Sequence, residues 1–297
     1  MRTGYSGGMK IMQNFAALIW LTVATGRLHA ADRPAERVEV GNPATTRSGT
    51  TLREKREVRV DAGSTKQETG ANVITVTTRF VQRVNLVRRL LNADSEELQV
   101  REYLKESVNF TGQAPAPNET VALLGRTLRA RKKGGHWDYN LHQGRSTPEE
   151  VQSLADLAFA ADLLEILPLS IGSGMHKPGE NWKIEMPSSG GKDHGQIIPD
   201  SLETTFVSLE VKPDGPYATF AIEGKFHMER PMSLNARMTV TFAATVVRRL
   251  SDMLDVETKA SGQFLASAQA AGPKREKILL NYDYPFTLVR TLAVERK

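Results

Sequence analysis

The 297-residue chain contains no cysteine. That absence excludes disulfides, thiolate nucleophiles and thiolate metal sites. It also excludes a lipid anchor on a cysteine at a signal cleavage point. The fold must therefore be held by an apolar core. With 40% of residues hydrophobic and 25% charged, the composition can supply one. Beyond residue 30 no run is long and apolar enough to span a membrane as a helix. A strong basic excess is missing too. Within residues 1–30 the charged side chains are Arg2, Lys10 and Arg27, so without them 39 basic and 34 acidic residues become 36 and 34, and the net charge falls from +5 to +2. Specific nucleic acid binding needs a concentrated basic surface, and none is expected here.

Motifs for chemistry are also scarce. The histidines are His29, His136, His142, His176, His194 and His227, and none stands in an H-E-x-x-H spacing. His136 and His142 flank Asp138 and would share a strand face, but no third ligand converges on them, so no metal or cofactor is expected. Ser189 and Lys192 have S-x-x-K spacing, yet they lie in a Gly-rich stretch and do not open a helix. Ser173 in "IGSGM" lacks the G-x-S-x-G spacing, and "SGGKDHG" lacks that of a phosphate-binding loop. Asp162 and Glu165 read as a solvated helix face, since a catalytic pair needs a cleft. Asn109 and Asn118 each open an N-x-T tripeptide, an acceptor for glycosylation only in a host that performs it. With no nucleophile, metal set or acid–base pair, a non-enzymatic role is expected.

What is present begins with a secretory pattern. Lys10 precedes the apolar stretch "IMQNFAALIWLTVAT", of signal-peptide length, and Ala30 and Ala31 are the candidate last residues before cleavage. Met9 is an alternative start to Met1. The expected location is periplasmic or extracellular. Residues 32–50 lack a sustained apolar pattern and read as a flexible lead-in.

Alternation of apolar and polar residues follows, as half-buried strands require. In "KILLNYDYPFTLVRTLAV" every even position from Ile278 to Val294 is apolar or aromatic except Arg290. Met238, Val240 and Phe242 form a second such face, and Phe220 with Ile222 a third. Leu98, Val100, Leu104, Val108 and Phe110 form a fourth, and Val58 with Val60 a fifth. "KPDGP" at 212–216 reads as a turn, "KKGG" at 132–135 as a hairpin tip, and "SSGGKDHG" and "AAGPK" as loops. Around the hairpin, Arg126, Arg129, Arg131, Lys132, Lys133 and Arg145 accompany two aromatics. Trp137, Tyr139, Arg129 and Arg131 are the candidates for ligand contact, weighed against an edge strand whose charges block unwanted pairing.

One segment is helical. In "STPEEVQSLADLAFAADLLEILP" Thr147 suits the N-cap and Pro148 the first helical position, and Glu150 completes a capping box. Pro168 is expected to end it. The polar stripe changes sides between the two halves of the helix, so each end should be covered by a different β layer. The expected organisation is a signal peptide at 1–31, a lead-in at 32–50, an N-terminal antiparallel β half at 51–146, a connecting helix at 147–167 and a C-terminal antiparallel β half at 168–297. The fold class is mainly β (α+β): two antiparallel β-rich halves, half-barrel-like, joined by one central, largely buried α-helix.

The stretch "LPLSIGSGMHKPGENWKIE" resembles a group of uncharacterised exported bacterial proteins, rich in β-strand, in which a helix and a proline precede a G-[DE]-x-W turn. The resemblance implies an envelope location and a β-rich two-part fold, and it carries no catalytic residues. Trp182 is expected to anchor that turn in the core. Two functions fit: binding of a lipid or other apolar ligand within curved strands, or a fully packed interaction module whose partner is another envelope protein.

Overall fold

Long alternating runs build long strands, and strands dominate the computed structural model. It describes residues 37–41, 49–110, 116–133, 136–185, 189–191, 195–231, 235–271 and 277–295. The stretch expected to be a signal peptide and most of the expected lead-in lie outside these residues. In chain order the elements are β1 (Val38–Glu39), β2 (Thr51–Thr69), β3 (Asn72–Asn92), β4 (Ser95–Phe110), β5 (Ala116–Thr120), β6 (Thr127–Lys133) and β7 (His136–Leu141). The helix α1 (Pro148–Ile171) follows. Then come β8 (Met175–His176), β9 (Asn181–Lys183), β10 (Ser189–Gly191), β11 (Gly195–Lys212), β12 (Gly215–Pro231), β13 (Asn235–Arg249), β14 (Leu254–Ala271) and β15 (Lys277–Val294).

Among the described residues, thirteen strands form one antiparallel sheet in the order β10-β11-β12-β13-β14-β15-β2-β3-β4-β6-β7, with β5 on β4 and β9 on β11. The sheet is not closed. The two expected β-rich halves are continuous in this sheet. Each half is a meander, but the last strand of one pairs with the first of the other, with Leu288 opposite Val58, Arg290 opposite Arg56 and Leu292 opposite Glu54. Left apart, β2 and β15 would each present a long unpaired edge; paired, they satisfy one another's backbone groups. Residues Arg37–Lys297 accordingly form one compact unit.

The hairpin and turn expectations match the strands: β6 pairs β7, and Lys212 lies opposite Gly215 across a two-residue turn. Three local readings change. At Arg101 a bulge inserts one residue, because Asn85 faces Glu102 while Leu86 faces Val100. Side-chain parity flips there, so Tyr103 is buried and Leu104 is only half-buried. The stretch "SGG" pairs with β11 as β10, where the edge of β11 offers backbone partners. Lys192 and His194 lie outside the described residues. In the lead-in, β1 pairs β8 and Val40 is fully buried. The buried Arg248 holds this segment, donating to the carbonyls of Val40 at 3.0 Å and Gly41 at 2.6 Å while its Nε and Nη2 grip Asp255 at 2.6 and 3.1 Å.

Helix α1 starts as its capping signals require. The Thr147 hydroxyl accepts from the Glu150 amide at 3.2 Å, and the Glu150 carboxylate accepts from the Thr147 amide at 2.8 Å. Those contacts, followed by Arg126, hold Glu150 below the usual carboxylate range, against the opposing effect of desolvation. The helix does not end at Pro168 but continues to Ile171. A proline in the final turns removes a single backbone donor. Side chains then take carbonyls left without helical partners: Thr204 Oγ1 donates to Ser170 O at 2.7 Å, and Trp182 Nε1 to Ile171 O at 3.1 Å. Trp182 also stacks on His176 at 3.9 Å and meets the edge of Phe220 at 6.4 Å.

The two ends of α1 join different cores. Leu154 and Leu157 pack with Val84, Leu98, Val100 and Leu128 of the N-terminal meander. Leu164, Ile166, Leu167 and Ile171 pack with Phe206, Phe220, Val240 and Leu288 of the C-terminal meander. The changing polar stripe of the sequence reflects this division.

Candidate functional site

Strand parity places Leu52, Glu54, Arg56, Val58 and Val60 on one face of β2. The neighbouring strand β15 places Phe286, Leu288, Arg290 and Leu292 on the same face. Helix α1 packs on this face of the sheet, and several of its positions here carry only a methyl group: Ala155, Ala160 and Ala161. Short side chains cannot fill the space to the sheet. Two cavities result.

The first is apolar. It measures about 350 Å³ and is lined by Val58, Val60, Phe80, Val240, Phe264 and Leu288, with Ala160 on the helix side. Lys105 and Asp156 form an ion pair at 2.5 Å beside it, and Gln152 donates to Asp156 at 3.0 Å. Hydrocarbon walls with a few polar groups match the usual chemistry of a small-molecule pocket.

The second cavity measures about 460 Å³ and is charged. Glu54 and Arg56 enter it from β2, Arg88 from β3, Arg290 from β15 and Glu165 from α1. Arg88 donates to both oxygens of the buried Glu96, from Nε at 2.9 Å and Nη2 at 3.1 Å, and from Nη1 to Glu54 at 2.5 Å. Arg56 Nη1 lies 3.7 Å from Glu54. Burial would lift the Glu54 carboxyl, but Arg88, Arg56 and Arg290 outweigh it and bring it down to about 2. Burial lifts Glu96, with Arg88 opposing. Burial also lowers Arg290, helped by the like charges of Arg88 and Arg56 and opposed by Glu54 and Asp255.

The expected ligand contacts divide between two faces. Trp137 and Tyr139 line the charged cavity. Arg129 and Arg131 do not; they are exposed on β6, where Leu128 and Ala130 take the inward positions. Alternation separates the aromatics from these two arginines, so the proposed cluster does not assemble. Lys132 pairs with Glu165 at 2.5 Å, which corrects the reading of Glu165 as a solvated helix face. The side chain of Asp162 lies outside the description, as do those of His136, Asn118 and Ser189. Asn109 is exposed and accepts from Thr78 at 3.0 Å, and Ser173 is exposed after α1. Among the described residues no three His, Cys, Asp or Glu side chains converge as a metal site. No helix among them is long and apolar enough to cross a membrane.

Sequence reasoning missed Glu54, Arg56 and Arg88. The signal lay in parity: Glu54 and Arg56 continue the face of Val58 and Val60, just as Arg290 interrupts an otherwise apolar face.

No protein-family profile matches the chain. No curated protein matches it either. Among solved structures, it is similar to one described as "lipid-protein interactions in lipovitellin", at 8% identity and a TM-score of 0.45. That match covers 85% of this chain and 26% of the other, so the chain spans about a quarter of the protein it resembles.

Proposed function

We propose that this protein is an exported binder of a lipid or other apolar ligand in the cell envelope. In this reading the open sheet curves as a half-barrel, α1 runs along its trough, and the ligand lies between them. The observation that carries it is the apolar cavity of about 350 Å³ between the inner face of β2 and β15 and the alanines of α1. A fully packed interaction module would fill that space with larger side chains.

The test compares native and denaturing mass spectra of the chain recovered from an exporting host. The expected result is an added apolar mass in the native spectrum alone. The variant Ala160→Phe fills the cavity from the helix side and should lose that mass while keeping the fold by circular dichroism. A bare protein mass that persists after incubation with envelope lipid extract would reject the binder and leave the interaction module.

A further inference from the structure

Arg56 and Arg290 lie directly opposite each other in the register of β2 and β15. Like charges in such a pair repel, and burial strengthens the repulsion. Both residues are more than nine-tenths buried, and both line the charged cavity. Among the described residues, Arg56 Nε, Arg56 Nη2 and Arg290 Nε have no hydrogen-bond partner. Arg290 forms no ion pair among them, while Arg56 reaches Glu54 only at 3.7 Å. The nearby carboxylates already have closer partners: Glu96 and Glu54 with Arg88, Asp255 with Arg248, and Glu165 with Lys132. At the rim, Asp252 is exposed and held by Arg249 at 2.6 Å, and Asp94 is exposed. The buried cluster of Arg56, Arg88 and Arg290 against Glu54 and Glu96 therefore carries one uncompensated positive charge.

Uncompensated buried cations are costly unless an anion completes them. Guanidinium groups favour carboxylate and phosphate, whose paired oxygens match their donors. One further observation narrows the ligand. Two residues along each strand from the arginines stand Val58 and Leu288, which line the apolar cavity. That step spans about 7 Å of strand, the scale of the junction between a headgroup and its chain.

We propose that Arg56 and Arg290 bind the carboxylate or phosphate of an acidic amphiphile whose hydrocarbon lies in the neighbouring apolar cavity. This rests on the proposed function and names the ligand class.

Isothermal calorimetry with the full chain tests it, using decanoate, decanol and inorganic phosphate. Decanoate should bind about tenfold tighter than decanol, the worth of one charge-assisted contact. Arg290→Met and Arg56→Met should each abolish that preference while decanol binding persists, and Arg290→Lys should restore part of it. Persistent decanol binding also shows that a variant is folded. Equal binding of decanoate and decanol by the wild type would overturn the anion site and leave the apolar cavity standing. Binding of neither would overturn the cavity reading itself. Phosphate binding that is lost in Arg290→Met, without decanoate binding, would overturn the headgroup assignment in favour of a free anion.

Discussion

Replacing Glu54 by glutamine should destabilise the protein at neutral pH and leave it indifferent to that substitution in acid. Glu54 is buried, accepts from Arg88 and lies 3.7 Å from Arg56. Its carboxyl sits at about 2 in the folded protein against 4.5 for a free one. That separation of about 2.5 pH units corresponds to about 3 kcal/mol of stability, at roughly 1.4 kcal/mol per unit. The sign follows from proton linkage. A lowered folded pKa means that the unfolded chain takes up the proton first. The contribution is complete above the free-carboxylate range and is lost progressively as the pH falls towards the folded value. Urea denaturation of wild type and Glu54→Gln, in a pH series from neutral to about pH 2, measures the gap. The expected gap is about 3 kcal/mol at neutral pH and shrinks steadily below about pH 4.5. Other carboxylates titrate in both proteins and largely cancel in the difference. A gap that stays constant down to the acid end, or no gap at neutral pH, would refute the assignment of Glu54 as the shared counter-charge of these arginines.

Two further substitutions probe the frame around the site. Arg248→Met leaves Asp255 buried without its partner and frees the carbonyls of Val40 and Gly41. The expected cost is about 3–5 kcal/mol in urea denaturation, with faster proteolysis before β2; a variant as stable as wild type would show that β1 is held otherwise. Gly262 on β14 lies opposite Phe242 on one side and Phe286 on the other. A Cβ there would stand 2.2 Å from the Thr241 carbonyl oxygen and 2.9 Å from the Phe242 Cα, both backbone atoms that cannot turn aside. Gly262→Ala should therefore lower stability by about 1–3 kcal/mol, read as a drop in Tm, and an unchanged Tm would mean that the two strands separate at no cost.

Local chemistry in the sequence determined most of the elements. Alternation along β13 and β15 marked their inward faces, Thr147, Pro148 and Glu150 marked the start of α1, and the shifting polar stripe showed that its ends are covered differently. These features depend on neighbours a few residues apart, and their physics is local. Tertiary structure alone decided the rest. The pairing of β15 with β2 joins residues more than 200 positions apart in the chain, so no local pattern could state that the two meanders are one sheet. The bulge at Arg101 reversed parity through a backbone choice that favours neither face in advance. Arg56 and Arg290 show the same division most sharply. Arg290 was visible as a charge on an apolar face and Arg56 was missed, and their meeting across one strand pair, beside a cavity that α1 leaves open, follows only from the folded register.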